Sequence, residues 1–353
     1  MLPGGVFSTR YDSDLAILRT KTQWLLLGLG LALLFTAPLF ASSYWLSWLT
    51  GLGITIVAVL GLHVLSGLCG QISIGQSAFM AVGAYTVAIL TARAGLNSWL
   101  CLPICGLSAG LVGLAFGLPC FRLKGLYLAI STLAASAIIV YCIQHFSLSG
   151  GFMGLSLDPL KLGPIDLSSR AAFYVVTMVI MVLATVFAKN IQRTATGRAF
   201  MAIRDNELAA EVSGIPVFRC KMLAFFIGCV FAGVAGWLWA YSQLRVNPNQ
   251  FGLYDSMWYV GMLIVGGWGS TSGVFFGAIF LRLVGVAIDQ ASPYLADALP
   301  SLAQQIYVSL GLILSGLIVV LFMMLEPRGL SYLWEKFKTY YRLHPYAYWG
   351  SQD

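Results

Sequence analysis

KNIQRTATGRAFMAIRDNELAAEVSGIPVFRCK, residues 189–221, is the longest polar interruption in a chain that is otherwise nearly all apolar. Six basic residues fall in it: Lys189, Arg193, Arg198, Arg204, Arg219 and Lys221. Its middle, Arg198 to Val212, reads as a short helix, stopped by Gly214 and then Pro216 in the usual order of a C-cap glycine followed by a proline. Phe200, Ile203, Leu208 and Val212 are its apolar positions, with Arg204, Asp205, Glu207 and Glu211 between them. Such a helix can lie in the lipid headgroup layer. Its mixed signs disfavour pure lipid binding and suit a docking helix that fits a partner's groove and passes motion to the flanking apolar segments.

Outward from this stretch the chain is membrane-spanning throughout. Of its 353 residues 59% are hydrophobic and only 9% charged, against about a quarter charged in soluble domains. Several runs reach the ~20 apolar residues that cross a bilayer core of about 30 Å. The expected spans are 24–40, 51–69, 72–92, 99–118, 125–146, 171–188, 222–244 and 305–325. Residues 41–50 read as a turn whose Tyr44, Trp45 and Trp48 suit an interfacial belt. Two apolar pieces, 257–265 and 273–288, flank Gly266–Ser272 and read as a helical hairpin or re-entrant segment. The fold class is therefore an all-α polytopic bundle of about eight full spans plus that hairpin. It divides into a tail (1–22), a transmembrane domain (23–325, with 189–221 as a coupling loop) and a second tail (326–353). No large soluble domain is present, so there is no room for a nucleotide-binding domain.

With the N-terminus inside, fifteen of the twenty Lys and Arg fall on inside segments and four outside, while Arg282 lies within a span. By the positive-inside rule both termini are cytoplasmic. The net charge of +7 is then topological and points to no nucleic acid. No signal-peptide cleavage site precedes the first span. The seven cysteines show no CxxC pairing and read as small packing residues. His63, His145 and His344 are isolated, so no metal site is expected. HExxH, GxSxG and Walker A patterns are absent, and no catalytic residue is assigned.

Polar residues inside spans must face protein or water. The sharpest group is Gly70-Gln71-Ile72-Ser73-Ile74-Gly75-Gln76-Ser77. Gln71, Ser73, Gln76 and Ser77, with Ser131 and Thr132, are the candidate lining of a solute path; interhelical hydrogen bonding is the competing reading. Alternating amides and apolar residues suit a zwitterionic, partly apolar solute. No acidic residue lies in the clear middle of a span, which disfavours an ion-coupled secondary carrier. Small residues three or four apart (Gly106, Gly110, Gly113 and Gly117; Ser73, Ser77 and Ala81; Gly273 and Gly277) let helix backbones approach closely.

GLCGQISIGQSAFMAVGAYTVAIL (67–90), FRLKGLYLAISTLA (121–134), GRAFMAIRDNELAAEVSGIPVFRCKMLAFFIGCVFAGVAGWL (197–238) and GGWGSTSGVFFGA (266–278) together resemble the LivM-type inner-membrane permeases of branched-chain amino acid ABC importers. The resemblance covers most of residues 50–330. It implies a multi-pass subunit of the bacterial inner membrane, paired with a second, LivH-type permease subunit. Two ABC ATPase subunits carrying ATP and Mg, and a periplasmic binding protein, complete the implied importer; no cofactor is expected on this chain. It places ATPase coupling on Arg198, Phe200, Ile203, Arg204, Asp205, Asn206, Glu207, Ala209 and Gly214. Family members often carry a histidine where this chain has Gln76, and relatives transport urea, short amides and aromatic acids, so the solute stays open. Asp158, Asp166, Asp255, Asp289 and Asp297, on the expected outer loops, are candidate contacts for the binding protein.

Overall fold

A computed structural model describes residues 21–120, 125–162, 165–166, 169–298, 303–326 and 328–343. Residues 1–20 of the expected tail 1–22, Arg122, Lys124 and His344 lie outside the described residues. The chain is all-α: α1 (Lys21–Phe40), α2 (Ser43–Leu62), α3 (Gln76–Ala94), α4 (Ser98–Cys120), α5 (Leu126–His145), α6 (Arg170–Arg193), α7 (Ala195–Asp205), α8 (Glu207–Val212), α9 (Val217–Gln243), α10 (Leu253–Gly266), α11 (Thr271–Ala298), α12 (Ala303–Leu325) and α13 (Leu330–Leu343). Among the described residues eight helices are long and apolar enough to cross a membrane, and Trp24–Phe40 is a shorter apolar helix. This is a multi-pass membrane protein.

Several expected boundaries move. Residues 41–50 are helix from Ser43 on, because Leu46 and Thr50 turn inward and the Thr50 hydroxyl returns its hydrogen bond to Leu46 O at 2.7 Å. α2 does not stop at Leu62 but widens into a π-helical turn, His63–Leu68. The third span starts at Gln76, not Ile72: Cys69–Gly75 is non-helical although largely buried. α6 continues to Arg193 and α9 begins at Val217, so the polar connection shortens to 194–216. The stretch 289–304, expected as a loop, is helical as far as Ala298. The tail after 325 carries α13, with Trp334 and Phe337 on its exposed apolar side.

The centre of the bundle is α3, α4 and α9, held together at glycines. A Cβ on Gly83 would lie 2.3 Å from Gly233 O, on Gly233 2.3 Å from Cys105 O, and on Gly236 2.1 Å from Met80 O. Small residues here substitute for hydrophobic driving force, which is weak between helices in lipid. The Gly106, Gly110 and Gly113 row of α4 faces Val230, Phe226 and Cys229 of α9. The two arms of the hairpin, α10 and α11, interlock the same way: a Cβ on Gly277 would fall 1.9 Å from Met262 O.

At one end of the bundle two short antiparallel ribbons close the loops. β1 (Leu155–Ser156) pairs with β4 (Arg245–Val246), and β2 (Lys161–Leu162) with β3 (Ile165–Asp166). α7 and α8 lie at the opposite end.

Candidate functional site

The expected single helix 198–212 is two helices with a break at Asn206, whose backbone is extended (φ −157°, ψ 108°). Asn206 breaks it because it serves as an N-cap, its side-chain oxygen accepting from Ala209 N at 3.1 Å. Thr194 caps α7 likewise, from Gly197 N at 3.2 Å. Gly197 is obligatory there, since a Cβ would lie 2.0 Å from Ile191 O. Gly214 ends α8 in the left-handed region (φ 83°), with Ile215 N returning to Ala210 O at 3.1 Å.

The break divides the expected apolar face. Phe200 and Ile203 are buried and fasten α7 to the bundle, while Leu208 (67% exposed) and Val212 (90%) of α8 face outward beside the exposed Ala209. Arg198 is exposed and donates to Arg193 O at 3.0 Å. Asn206 and Asp205 are also on the outside. Glu207 turns back: its carboxylate meets Lys221 Nζ at 2.9 Å, and Lys221 is buried at the foot of α9. Removing the carboxylate strands that ammonium. Glu207→Ala is expected to destabilise the α8 connection by about 2 kcal/mol, toward the low end for a half-buried pair. The measurement is faster proteolysis within 206–214, the span helices staying intact.

Arg204 reaches furthest inward. Nε and Nη2 hold the Asp205 carboxylate at 3.0 and 2.9 Å, while Nη1 donates to Gly67 O at 3.1 Å. That carbonyl belongs to the π-helical turn, whose carbonyls need partners from outside the helix. Ser66 O takes Trp268 Nε1 at 2.9 Å, and Ser66 Oγ donates to Gln71 O at 2.8 Å. A Cβ on Gly70 (φ 72°) would meet Arg204 Cγ at 3.0 Å, and one on Gly269 would meet Arg204 Nη1 at 2.8 Å. The Arg204 side chain therefore bonds α2's last, π-helical turn through its guanidinium, packs its stem beside the start of the 70–77 segment and lies next to the α10–α11 turn.

A second tie lies alongside. Gln192 Nε2 donates to His63 Nε2 and to Thr271 Oγ1, both at 2.9 Å, and Lys189 Nζ donates to Gln192 Oε1 at 3.1 Å. His63 is thus a buried hydrogen-bonded histidine. Among the described residues no cluster of metal-binding side chains occurs.

The 70–77 segment climbs from Arg204 to the middle of the bundle. Gln76 Nε2 donates to Ala58 O at 2.9 Å and to Gly228 O at 3.4 Å, and Gly228 is near the midpoint of α9. There two helix beginnings meet. Ser77 N donates to Ser256 Oγ at 3.1 Å, and Ser77 Oγ to Gly252 O at 2.8 Å. Ile74 N donates to Thr132 Oγ1 at 3.0 Å, and Gly75 N lies 3.4 Å from Ser73 Oγ. Gln71, Ser73, Gln76, Ser77 and Thr132 are all buried. The Gln71 amide and Gln76 Oε1 are buried without a partner. Ser131 is half-buried, and its hydroxyl donates to Leu128 O at 3.0 Å in its own helix; Thr132 donates likewise to Ala129 O but also accepts Ile74 N.

Ser256 and Gly252 are absent from the expected site. The signal for them is the Gly252-x-x-Asp255 spacing of a helix N-terminus: Asp255 Oδ2 accepts Gly252 N at 3.1 Å. Asp255 is therefore a half-buried residue in the first turn of α10 and not a loop residue. Asp158 stays at the ribbon end, beside Lys161 and Tyr241 in a polar cavity of about 660 Å³. Asp289 is exposed near the end of α11; the side chains of Asp166 and Asp297 lie outside the described residues. Arg282, the basic residue inside a span, donates from Nη2 to Thr55 Oγ1 at 2.9 Å, in room left by Gly51.

The family described as "Branched-chain amino acid transport system / permease component" is matched over residues 44–323. The chain is 35% identical over 256 residues to the high-affinity branched-chain amino acid transport system permease protein LivM of Escherichia coli (strain K12). That alignment takes in 65% of this chain and 60% of the relative, so the chain spans about three fifths of that relative's length. The LivH permease protein of Salmonella typhimurium is 25% identical over 257 residues, 67% of this chain and 81% of the relative. The autoinducer 2 import system permease protein LsrC of Enterobacter sp. (strain 638) is 37% identical over 113 residues, 30% of this chain and 33% of the relative. No solved structure matches the chain.

Proposed function

The chain belongs to the family of branched-chain amino acid transport permease components, and from that premise we propose that it is one membrane-spanning half of an ATP-driven importer for branched-chain or other hydrophobic amino acids. A homologous LivH-type subunit supplies the other half, in keeping with the similarity of this chain to both permease types. Two ABC ATPase subunits, which carry ATP and Mg, dock on α7 and α8 through Arg198, Asp205, Asn206, Leu208, Ala209 and Val212. A periplasmic binding protein delivers the solute at the ribbon end. Both termini are then cytoplasmic, the membrane is the bacterial inner membrane with its lipid against the outer helices, and this chain binds neither nucleic acid nor a cofactor and catalyses nothing itself.

The observation that carries this reading is the reach of Arg204. A push on α8 is transmitted through α7, whose Phe200 and Ile203 are packed in the bundle, to the Gly67 carbonyl and the α10–α11 turn. Both lead to the same place, Ser77 against Gly252 and Ser256. Discontinuous helices meeting at mid-bundle are where transporters hold solutes, and moving one against the other alternates access. The partnerless amide of Gln71 and the partnerless Oε1 of Gln76 suit a path whose polar contacts are completed by water or solute.

The test is uptake of labelled leucine into liposomes containing both permease subunits, both ATPase subunits and lumenal ATP, with binding protein outside. The expected result is accumulation that needs ATP and binding protein. Accumulation driven by an ion gradient with the ATPase subunits left out identifies a secondary carrier instead. Uptake of urea, short amides or aromatic acids in place of leucine keeps the importer and corrects its solute.

A further inference from the structure

Beside the junction of α3 and α10 lies a cavity of about 380 Å³. Ile74, Tyr254, Trp258 and Val319 line it, and Gly261 and Gly316 stand in its wall. Its head adjoins the junction, whose Ser77 and Ser256 do not themselves line it: Ile74 lies between Ser73 and Gly75, and Tyr254 is in the first turn of α10, between Gly252 and Ser256, both of which bond Ser77. From there it runs along α10 against α12.

We propose that this cavity receives the apolar side chain of the transported amino acid while its polar end stays at the Ser77–Ser256 junction; this rests on the importer reading above. The volume is at the lower end of small-molecule sites. No charged side chain lines it, and its hydrogen-bonding groups are confined to Tyr254 and Trp258. Urea or a short amide placed there leaves its own polar groups unpaired, at a cost of roughly 1–3 kcal/mol each, whereas an aliphatic side chain loses nothing. The chemistry therefore selects aliphatic amino acids over the small polar solutes that similar permeases carry.

Two glycines border it. A Cβ on Gly316 meets nothing within 4 Å, so a side chain there adds bulk without collision. A Cβ on Gly261 meets Val319 Cγ2 at 3.3 Å, which marks the width between α10 and α12. Shrinking and enlarging the space are thus separate experiments, Gly316→Leu for the first and Val319→Ala for the second.

The assay is ATP-dependent uptake of valine, leucine and phenylalanine at saturating binding protein. Results are expressed as ratios against the unchanged chain, so that the binding protein's own selectivity cancels. Gly316→Leu is expected to lower leucine relative to valine at least fivefold, and Val319→Ala to raise phenylalanine relative to leucine severalfold. Both variants should retain ATP hydrolysis stimulated by liganded binding protein. Unchanged ratios, or an equal fall for all three solutes, overturn the proposal. So does loss of the second permease subunit on purification, which makes the cavity an assembly surface. An unchanged chain that shows no ATP-dependent uptake of any of the three refutes the importer reading instead, and is seen before either variant is made.

Discussion

Arg204→Ala is expected to reduce ATP-dependent uptake on the order of tenfold or more, with the protein inserted and the ATPase subunits still bound. The side chain is 31% exposed and belongs to no apolar cluster of the bundle. What it supplies is a charged donor to Gly67 O at 3.1 Å and a clamp on Asp205. A hydrogen bond from a charged group contributes about 1.5–3 kcal/mol, and 1.4 kcal/mol is a factor of ten. Lysine does not restore it. A single ammonium cannot hold Asp205 through two nitrogens and reach Gly67 with a third, as the guanidinium fork does. The measurement is a comparison of uptake with ATP hydrolysis in the reconstituted complex. Hydrolysis persists while transport falls if Arg204 transmits motion; both fall together if it only holds the ATPase subunit in place.

Gly236→Leu is expected to abolish the folded bundle. A Cβ there would already lie 2.1 Å from Met80 O and 2.8 Å from Ala84 N, both backbone atoms that cannot rotate aside. α3 and α9 must separate to admit the side chain. Because α4 is keyed to α9 through Gly233 and Cys105, the displacement spreads to a third helix. Overpacking that is relieved by side-chain movement costs about 1–3 kcal/mol; with backbone on the other side the loss is expected to exceed that range. Gly285→Ala is the matched control, since a Cβ there meets nothing within 4 Å, and such surface changes stay within about 0.5 kcal/mol. Thermal aggregation of the detergent-purified protein separates the two.

The class of fold was legible because it depends on bulk quantities. Apolar run length and the rarity of charge specify a bundle of spanning helices whatever the details of packing. The hairpin was legible from Gly266 to Ser272, where glycines at 267 and 269 do adopt positive φ. The breaks within helices were legible only in part. The gap at Gly70-Gln71 was legible but its length was not: Ile72–Gly75 reads as the start of a span, and only tertiary partners reveal that it is not helical, with Thr132 for Ile74 N and Ser256 for Ser77 N. Asn206 was hidden similarly. Helix-favouring residues on both sides outweighed its capping tendency in a reading by periodicity.

The candidate site divides the same way. Polar residues in an apolar span announced Gln71, Ser73, Gln76 and Ser77, since each is costly in lipid. Ser131 carried the same signal as Thr132, and both hydroxyls donate back to their own helix, but only Thr132 Oγ1 also accepts Ile74 N, a choice no spacing encodes. The sequence places residues 70–77 and 195–212 far apart along the chain, with nothing to link them. In the structure Arg204 lies against Gly70, so the proposed site of force and the proposed solute path adjoin.

The central claim is that α8 meets an ATPase subunit. A photo-crosslinking amino acid at Val212, which is 90% exposed and makes no contact whose loss would unfold the chain, tests it in the reconstituted complex. Phe152 at the ribbon end, 61% exposed, is the control position. The predicted result is a covalent product between position 212 and the ATPase subunit, changing in yield when ATP is added, and none from position 152. A crosslink from Val212 to lipid alone, in a complex that still transports, contradicts the account.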